Sequence, residues 1–501
     1  MVRTLHNNSE VRGCPALCKG DMDMRLKDLL LNTGVQVTGA LEDISVTDVC
    51  YDSRKVTPGA LFVAIKGFKS DGHKFIEKAI ELGAAIVVGE EDRDEECYIK
   101  VDDTRKFLAV ASKNLFGCCA DKLKIVGITG TNGKTTTSYL IKQILELKGH
   151  KCGLIGTNQI LVGDEAIDSE RTTPESRELH ELFKRMYDSG AEYVVMEVSS
   201  HSLELDRVYG IEFEVGIFSN LTQDHLDFHI TMDNYAKAKA KLFAMSKNAA
   251  INADDAYSAV MLEDAKNAVT YSIEKESDLK AENIRLRERG IIFDVAFKGE
   301  ERQLKLGIPG QFSVYNALAA ASGALLLGIS LEDVAKGLVI ARGVKGRLEV
   351  VPTLTAYTVI IDYAHTPDGL ENVINAVRGF AKGRVITLFG CGGDRDNTKR
   401  PIMGEIAQRL SDYVIVTSDN PRGEEPAAIM KQIVAGMKDG NYICIESRRE
   451  AIDYALDFAK EGDVIILAGK GHETYQIFKE GTIHFDEREV VKECLEAKEK
   501  N

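Results

Sequence analysis

The segment KIVGITGTNGKTTTSYLIKQILELKGH, residues 124–150, constrains this chain more than any other stretch. A short apolar run enters a glycine-rich loop, and apolar Leu140, Ile144 and Leu147 then follow at helical spacing until a stop near Gly149. Glycines let backbone N–H groups close on phosphate oxygens, a lysine adds a point charge at the outer phosphates, and a following hydroxyl can reach Mg²⁺. Gly130, Thr131, Asn132, Gly133, Lys134, Thr135 and Thr136 are therefore candidate nucleotide contacts, with Lys134 and Thr135 in the charge and metal roles. The spacing departs from the strict phosphate-loop pattern, since five residues rather than four separate Gly127 from Gly133.

Further apolar strands, CGLIG, YVVMEV and VGIFSN, alternate with helical stretches such as ELHELFKRMYDSG. That alternation predicts an α/β fold with a mostly parallel sheet wound by helices. The 501-residue length suggests about three domains. The expected boundaries are 24–120 for a small α/β domain, 121–345 for the phosphate-loop domain and 346–501 for a third domain. Residues 1–23 read as a disordered leader rather than a secretory signal, because they lack an apolar core. The polar stretch 274–301 reads as a hairpin or insertion. No apolar run approaches a membrane span, and a formal charge of -15 argues against a general nucleic-acid binder. Ten cysteines without paired CxxC motifs predict reduced, mostly buried thiols of a cytoplasmic protein.

Glu197 ends the strand after the phosphate loop, where a nucleotidase holds a metal carboxylate, and His225 follows the next strand. Either alone is a common strand-end or loop residue; with Thr135 they form a candidate magnesium set. In YAKAKAKLF, residues 235–243, the alternate Lys237, Lys239 and Lys241 cannot share one helix face, so one of them must point elsewhere.

The last third repeats one theme. TVIIDYAHTPD, RVITLFGCGGDRD, YVIVTSDNPR and VIILAGKGHE each carry an apolar strand into a loop rich in glycine and charge. In open α/β sheets ligands bind beyond the carboxyl ends of the strands. The motif TSDNPR there presents a turn-fixing Pro421 and, in Arg422, a planar fork suited to a carboxylate.

These motifs identify the chain as resembling the Mur ligases, ATP-dependent amide-forming enzymes of peptidoglycan precursor synthesis. The resemblance runs from Met24 onward through GTNGKTTT, EVSSHSL, NLTQDHLDFH, YAKAKAKLF, GQFSVYNALAA, GRLE, DYAHTPDGL, GGDRDNTKR, DNPR and GKGHE, in family order. It is nearest to the members that add meso-diaminopimelate to UDP-N-acetylmuramoyl-L-alanyl-D-glutamate. It implies a UDP-binding domain, a central ATPase and a C-terminal Rossmann-like domain for the incoming amino acid. By the family pattern Ser53, Asn158, Thr172, Thr173, Ser199 and Arg207 hold the uridine nucleotide, and Leu205 stands where members often carry glutamine. Thr135, Glu197, His225 and Lys239 fall on the Mg²⁺ positions, with Lys239 as a CO₂-derived carbamate. Lys134, Glu197, His225 and Lys239 are the implied catalytic group. Asn316, Arg347, Asp362 and His365 fall near the nucleoside and phosphates of ATP. Arg395, Asp419, Asn420, Pro421, Arg422, Gly469 and Glu473 fall on the diaminopimelate positions. The implied protein is a cytoplasmic monomer serving cell-wall synthesis, cell shape and division, with no nucleic-acid or membrane partner. An L-lysine-adding ligase, a folylpolyglutamate-type synthetase and a non-catalytic nucleotide switch are the alternatives. The absence of an NKxD motif weighs against the switch.

Overall fold

The structure, a computed structural model, describes residues 3–4, 23–67, 70–169, 171–287, 290–341 and 343–499. Most of the expected leader lies outside the described residues, Cys14 and Cys18 included. Within it, Arg3–Thr4 pair antiparallel with Val35–Gln36. Three sheets of four or more strands follow one another along the chain, giving the predicted α/β architecture.

The first sheet takes Val49–Cys50, Leu61–Val63, Ile86–Gly89 and Tyr98–Lys100 in sequence order, all parallel. Leu61, Phe62 and Val63 are each fully buried, as expected of a parallel strand covered on both faces. The helix Thr104–Leu115 closes this unit. Asp103 caps it by accepting from the backbone N–H of Arg105 and Lys106.

The second sheet has eleven strands. Its parallel centre runs Cys152–Ile155, Tyr193–Glu197, Lys124–Thr129, Phe213–Phe218, Ser246–Asn252, Ala268–Ser272 and Leu279–Arg287. Antiparallel strands extend it at both edges. The stretch read as a hairpin or insertion does form a hairpin, Leu279–Arg287 antiparallel to Gly290–Phe297, and with Glu300–Leu306 it extends this sheet. Polar outward positions dominate the composition there and hid the alternation. Ile291, Phe293, Val295, Leu304 and Leu306 all point inward and are buried in the core shared with the helix Gln311–Leu326.

The third sheet orders Glu349–Val351, Thr358–Asp362, Val464–Ala468, Val385–Phe389, Tyr413–Val416 and Tyr442–Cys444, with only the first strand antiparallel. The four motif-bearing strands are therefore parallel neighbours, and their loops emerge at one edge. This domain sits hard against the second. Val126 and Ile466 belong to one apolar cluster, and a methyl added at Gly310 would stand 2.7 Å from Ala376 Cβ across the junction. Among the described residues seven cysteines are free and five of these are buried, as expected. Cys118 is instead held in a disulfide. Among the described residues no helix is long and apolar enough to cross a membrane.

Candidate active site

The phosphate loop leaves the strand Lys124–Thr129 and enters the helix Lys134–Leu147. Gly130 and Gly133 adopt φ of 146° and 84°, a region that only glycine enters cheaply. A Cβ at Gly130 would lie 1.9 Å from Ser219 Oγ, and one at Gly133 2.4 Å from Asn316 Oδ1. The loop is thus pressed against its neighbours, and hydrogen bonds fix it there. Ser219 Oγ donates to Asn132 O at 2.7 Å, the Asn132 N–H donates to Asn220 Oδ1 at 2.9 Å, and the Thr131 N–H donates to Asn220 O at 2.8 Å.

Two lysines meet at this loop. Lys134 Nζ donates to Gly130 O at 2.9 Å and Thr131 O at 2.8 Å, and Lys239 Nζ donates to the same Gly130 O at 2.9 Å. Lys239 projects from the helix Met232–Ala244 and is buried, whereas Lys237 and Lys241 on the same helix are exposed. This is the divergence that the alternate spacing requires. Burial and the adjacent Lys134 push the Lys239 amine well below the ordinary lysine range. Lys134 is also lowered by burial, against the pull of Glu197 and Asp224.

Glu197 ends its strand almost fully buried. Its carboxylate accepts from the Thr157 N–H at 3.0 Å and the Thr157 hydroxyl at 2.9 Å, and Thr157 in turn meets the Thr172 hydroxyl at 3.1 Å. Thr157 was not apparent from sequence, because nothing local marks a threonine forty residues away as a carboxylate partner. His225 sits at a left-handed φ of 53°, with Nε2 3.4 Å from Asp224 and its ring edge-on to His201 at 4.8 Å. Burial lowers the His225 imidazole to about 4 and keeps it a neutral donor. Thr135, Glu197, His225 and Lys239 line one cleft. A buried carboxylate with no ion-pair partner among the described residues, lining one cleft with the Thr135 hydroxyl and a neutral imidazole, fits a hard divalent cation such as Mg²⁺. A free Lys239 ammonium would repel that cation and a carbamate oxygen would not.

Asn316, Arg347, Asp362 and His365 line the same cleft from the second and third domains. The Arg347 guanidinium lies 4.8 Å over the Tyr363 ring, and Asp362 accepts from the N–H groups of Leu348 at 2.7 Å and Ala364 at 2.8 Å. His365 Nδ1 is 2.8 Å from Tyr363 O. Asp368, which the sequence reading did not single out, reaches across the domain junction. It accepts from Asn132 Nδ2 at 2.5 Å and the Thr222 hydroxyl at 3.2 Å.

At the far end of the cleft stand Arg395, Asp419, Asn420, Arg422, Gly469 and Glu473. Arg422 is held at φ 51°, with Nη1 donating to Gly393 O at 3.1 Å. Among the described residues neither Arg395 nor Arg422 makes an ion pair. The positive φ of Gly469, 113°, lets the Asp419 carboxylate approach, since a Cβ there would lie 2.5 Å from Asp419 Oδ2. Asn420 and Glu473 are engaged with the protein: Asn420 Nδ2 donates to Glu473 Oε2 at 2.8 Å, and Asn420 Oδ1 accepts from the Ile477 N–H at 3.0 Å. Behind them Arg448 and Glu487 form a fully buried pair at 2.7 Å. Arg448 also donates to Ala468 O at 2.8 Å and Ser418 O at 3.4 Å, tying together the ends of the two strands that deliver DNPR and GKGHE.

Of the residues expected at the uridine nucleotide, Thr172 and Ser199 line the cleft, and Ser53, Asn158, Thr173 and Arg207 do not. Asn158 Nδ2 donates to Lys345 O at 2.9 Å, and the Thr173 hydroxyl donates to Glu197 O at 2.9 Å. Arg207 pairs with buried Glu175 and donates to Thr173 O at 3.1 Å. Ser53 starts a short turn of the first domain, half-buried. Pro421 is buried and shapes the DNPR turn without lining the cleft. The cleft as a whole has a volume of about 1550 Å³ and joins the phosphate loop, the Glu197–Lys239 region and the two arginines into one space.

The chain matches the Mur ligase family, catalytic domain over residues 45–115, the Mur ligase middle domain over 128–324 and the Mur ligase, glutamate ligase domain over 346–471. It is 52% identical over 482 residues to the UDP-N-acetylmuramoyl-L-alanyl-D-glutamate--2,6-diaminopimelate ligase of Clostridium tetani (strain Massachusetts / E88), an overlap of 94% of this chain and 99% of that protein. A solved structure of a UDP-N-acetylmuramoyl-L-alanyl-D-glutamate--2,6-diaminopimelate ligase superposes with a TM-score of 0.71 at 30% identity, covering 95% of this chain and 100% of the other. The crystal structure of MurF ligase from Thermotoga maritima in complex with ADP shares the fold at 19% identity and a TM-score of 0.61, over 90% of this chain and 97% of that one.

Proposed function

The chain belongs to the Mur ligase family, and from that premise we propose that it joins meso-2,6-diaminopimelate to the D-glutamyl γ-carboxylate of UDP-N-acetylmuramoyl-L-alanyl-D-glutamate with consumption of ATP. The observation that carries this reading is the single cleft, in which a phosphate loop shares one space with two arginines that make no ion pair among the described residues. A carboxylate and an amine do not condense in water unaided. Transfer of the γ-phosphoryl group of ATP to the acceptor carboxylate gives an acyl phosphate, which the amine then attacks, releasing phosphate and leaving the amide. Lys134 and the loop N–H groups neutralise charge on the transferring phosphoryl group, a task of positioning and electrostatics. Mg²⁺, when bound, would supply further charge neutralisation there, held by Thr135, Glu197, His225 and Lys239. Asp362, Arg347, Asn316 and His365 orient the nucleotide. Closure of the third domain on the phosphate loop, where Asp368 already touches Asn132, excludes water from the acyl phosphate.

Lys239 acts in this scheme as a carbamate. Its burial beside Lys134, with both amines on one carbonyl oxygen, supports the assignment: two ammonium groups repel in so dry a site, and a neutral amine is the form that reacts with CO₂. Lys239→Ala should collapse activity, with no rescue by bicarbonate; full activity in that variant would remove the carbamate from the scheme. Ser53, Asn158, Thr172, Thr173, Ser199 and Arg207 contact the uridine nucleotide and its peptide. Arg395 and Arg422 hold the distal carboxylate of diaminopimelate, Gly469 and Glu473 receive its distal ammonium, and Asp419 and Asn420 shape the pocket. The enzyme works as a monomer in the cytoplasm. A coupled ADP-release assay with the UDP-dipeptide and meso-diaminopimelate, L-lysine or L-ornithine tests the whole reading. Diaminopimelate should support turnover far above the other two. Equal turnover with L-lysine, or release of ADP only with a folate and glutamate, would overturn it.

A further inference from the structure

The two loops that carry Arg395 and Arg422 are joined by a pair of residues that do not themselves line the cleft, Arg400 and Glu424. Arg400 lies on the helix Lys399–Leu410 and is fully buried. Its guanidinium donates to both carboxylate oxygens of Glu424 at 2.8 Å, to Gln432 Oε1 at 2.7 Å and to Gly392 O at 3.0 Å. A two-pronged pair of this kind fixes geometry as well as charge. The Arg400 guanidinium holds the Glu424 carboxyl down at about 2. Glu424 also accepts from the Asp394 N–H at 2.6 Å, and the Gly423 N–H donates back to Asp394 Oδ2 at 3.0 Å. The Gly393 N–H donates to Asn420 O at 2.9 Å. GGDRD and DNPR are thus bonded to each other along their length. Each has a non-glycine residue in the left-handed region, Asp394 at φ 53° and Arg422 at φ 51°. Such a backbone persists only where its surroundings over-determine it. Both arginine side chains pass the same point: a Cβ added at Gly392 would lie 2.9 Å from Arg422 Nη1 and 3.8 Å from Arg395 Cγ. Two guanidiniums repel one another, so their spacing has to be imposed by the loops. Of the acids beside them on the cleft wall, Asp394 accepts the Gly423 N–H, and Asp396 accepts from the N–H and hydroxyl of Thr398 at 2.8 and 2.6 Å.

We propose that Glu424 is a positioning residue for the distal carboxylate of the amino acid: clamped by Arg400, it fixes GGDRD against DNPR and so sets the spacing at which Arg395 and Arg422 meet an acid group, without itself touching the ligand. The inference rests on the substrate reading given above. Its effect passes through the two arginines. An amino acid with a distal carboxylate should therefore feel the loss of Glu424, and one that lacks that group should not. A residue that merely held the third domain together would affect both alike.

Steady-state kinetics with meso-diaminopimelate and L-lysine, at saturating ATP and UDP-dipeptide, test this. In Glu424→Ala, kcat/KM for meso-diaminopimelate should fall by about tenfold or more, through KM, while kcat/KM for L-lysine and KM for ATP stay within about twofold of wild type. Glu424→Gln keeps an acceptor for the Asp394 N–H but not the charge pair, and should fall between wild type and Glu424→Ala. In an Arg422→Ala background, Glu424→Ala should cost less than about threefold more, since a group it positions is already gone. An unchanged KM for meso-diaminopimelate, an equal loss with both amino acids, or a full second loss in the Arg422→Ala background would overturn the assignment. Should Glu424→Ala fail to fold, Glu424→Gln decides between the same outcomes. Should L-lysine turn over too slowly to measure, the Arg422→Ala background decides alone. A wild-type enzyme that forms no amide with meso-diaminopimelate would count against the substrate reading itself, and so is distinguishable from a failure of Glu424 alone.

Discussion

Replacing Arg448 by methionine puts the buried framework of the amino-acid pocket to a quantitative test. Arg448 and Glu487 are both inaccessible to solvent, and they meet at 2.7 Å. The arginine makes two further bonds, to Ala468 O and Ser418 O. Glu487 Oε2 is buried and already lacks a hydrogen-bond partner. Burial holds the Glu487 carboxyl above its ordinary range even though Arg448 opposes the shift. Removing the arginine leaves that carboxylate without its ion-pair partner, a change that costs about 3–5 kcal/mol in comparable buried pairs. With a shift of roughly 2–4 °C in Tm per kcal/mol for a domain of this size, the third domain should melt about 6–20 °C lower. The pH dependence has a definite sign. A carboxyl whose folded pKa is raised binds more protons folded than unfolded between the two values, so its contribution to stability falls as pH rises through that window. In Arg448→Met the folded pKa rises further, and the deficit relative to wild type should be smaller at pH 5 than at pH 8. Arg448→Met/Glu487→Leu removes both charges and should recover most of the loss. Thermal unfolding followed by circular dichroism at the two pH values, with KM for diaminopimelate alongside, reads all of this. A single variant that melts within a degree of wild type, or a deficit that grows towards acid, would refute the argument.

Three other outcomes are expected. Arg422→Ala should lose discrimination between diaminopimelate and L-lysine by roughly a hundredfold or more in kcat/KM while sparing KM for ATP, since an Arg–carboxylate pair in a desolvated pocket contributes several kcal/mol; steady-state kinetics with both amines checks it. Gly130→Ala should weaken ATP binding by at least tenfold in a calorimetric titration, because the new Cβ collides with Ser219 Oγ at 1.9 Å and the backbone sits at φ 146°. Burial lowers His180 to about 3 and His229 to about 4, so the unfolded chain takes up protons at these sites before the folded one does. Stability should therefore fall as pH drops from the unfolded value near 6.5 towards 4, by about 1.4 kcal/mol per pH unit for each histidine, and His180→Phe should flatten that slope in urea unfolding at pH 7 and pH 5.

Local patterns carried much of this protein. The strand, the glycine loop and the helix at residues 124–147 are set by short-range chemistry: β-branched runs, glycines at positive φ and a 3.6-residue apolar repeat. The helical period alone required one of three alternate lysines to diverge, and Lys239 is the one that is buried. The parallel arrangement of the four C-terminal strands and the common edge of their loops were likewise written in recurring apolar runs that end in glycine and charge. What the sequence could not show were partnerships made across large separations. Asn132 and Asp368 are 236 residues apart, Arg448 and Glu487 are 39 apart, and Asn420 and Glu473 are 53 apart. A threonine such as Thr157, or a lysine such as Lys470, looks like any surface residue until folding buries it against a carboxylate. The edge strands of the second sheet were obscured for a related reason: their solvent faces are charged, and only packing on the core helix reveals which alternate positions are inside. Local propensity is decided by neighbours in the chain. The choice of which charge is neutralised, and which is left to meet a ligand, depends on desolvation and distance, and those exist only once the three domains are packed.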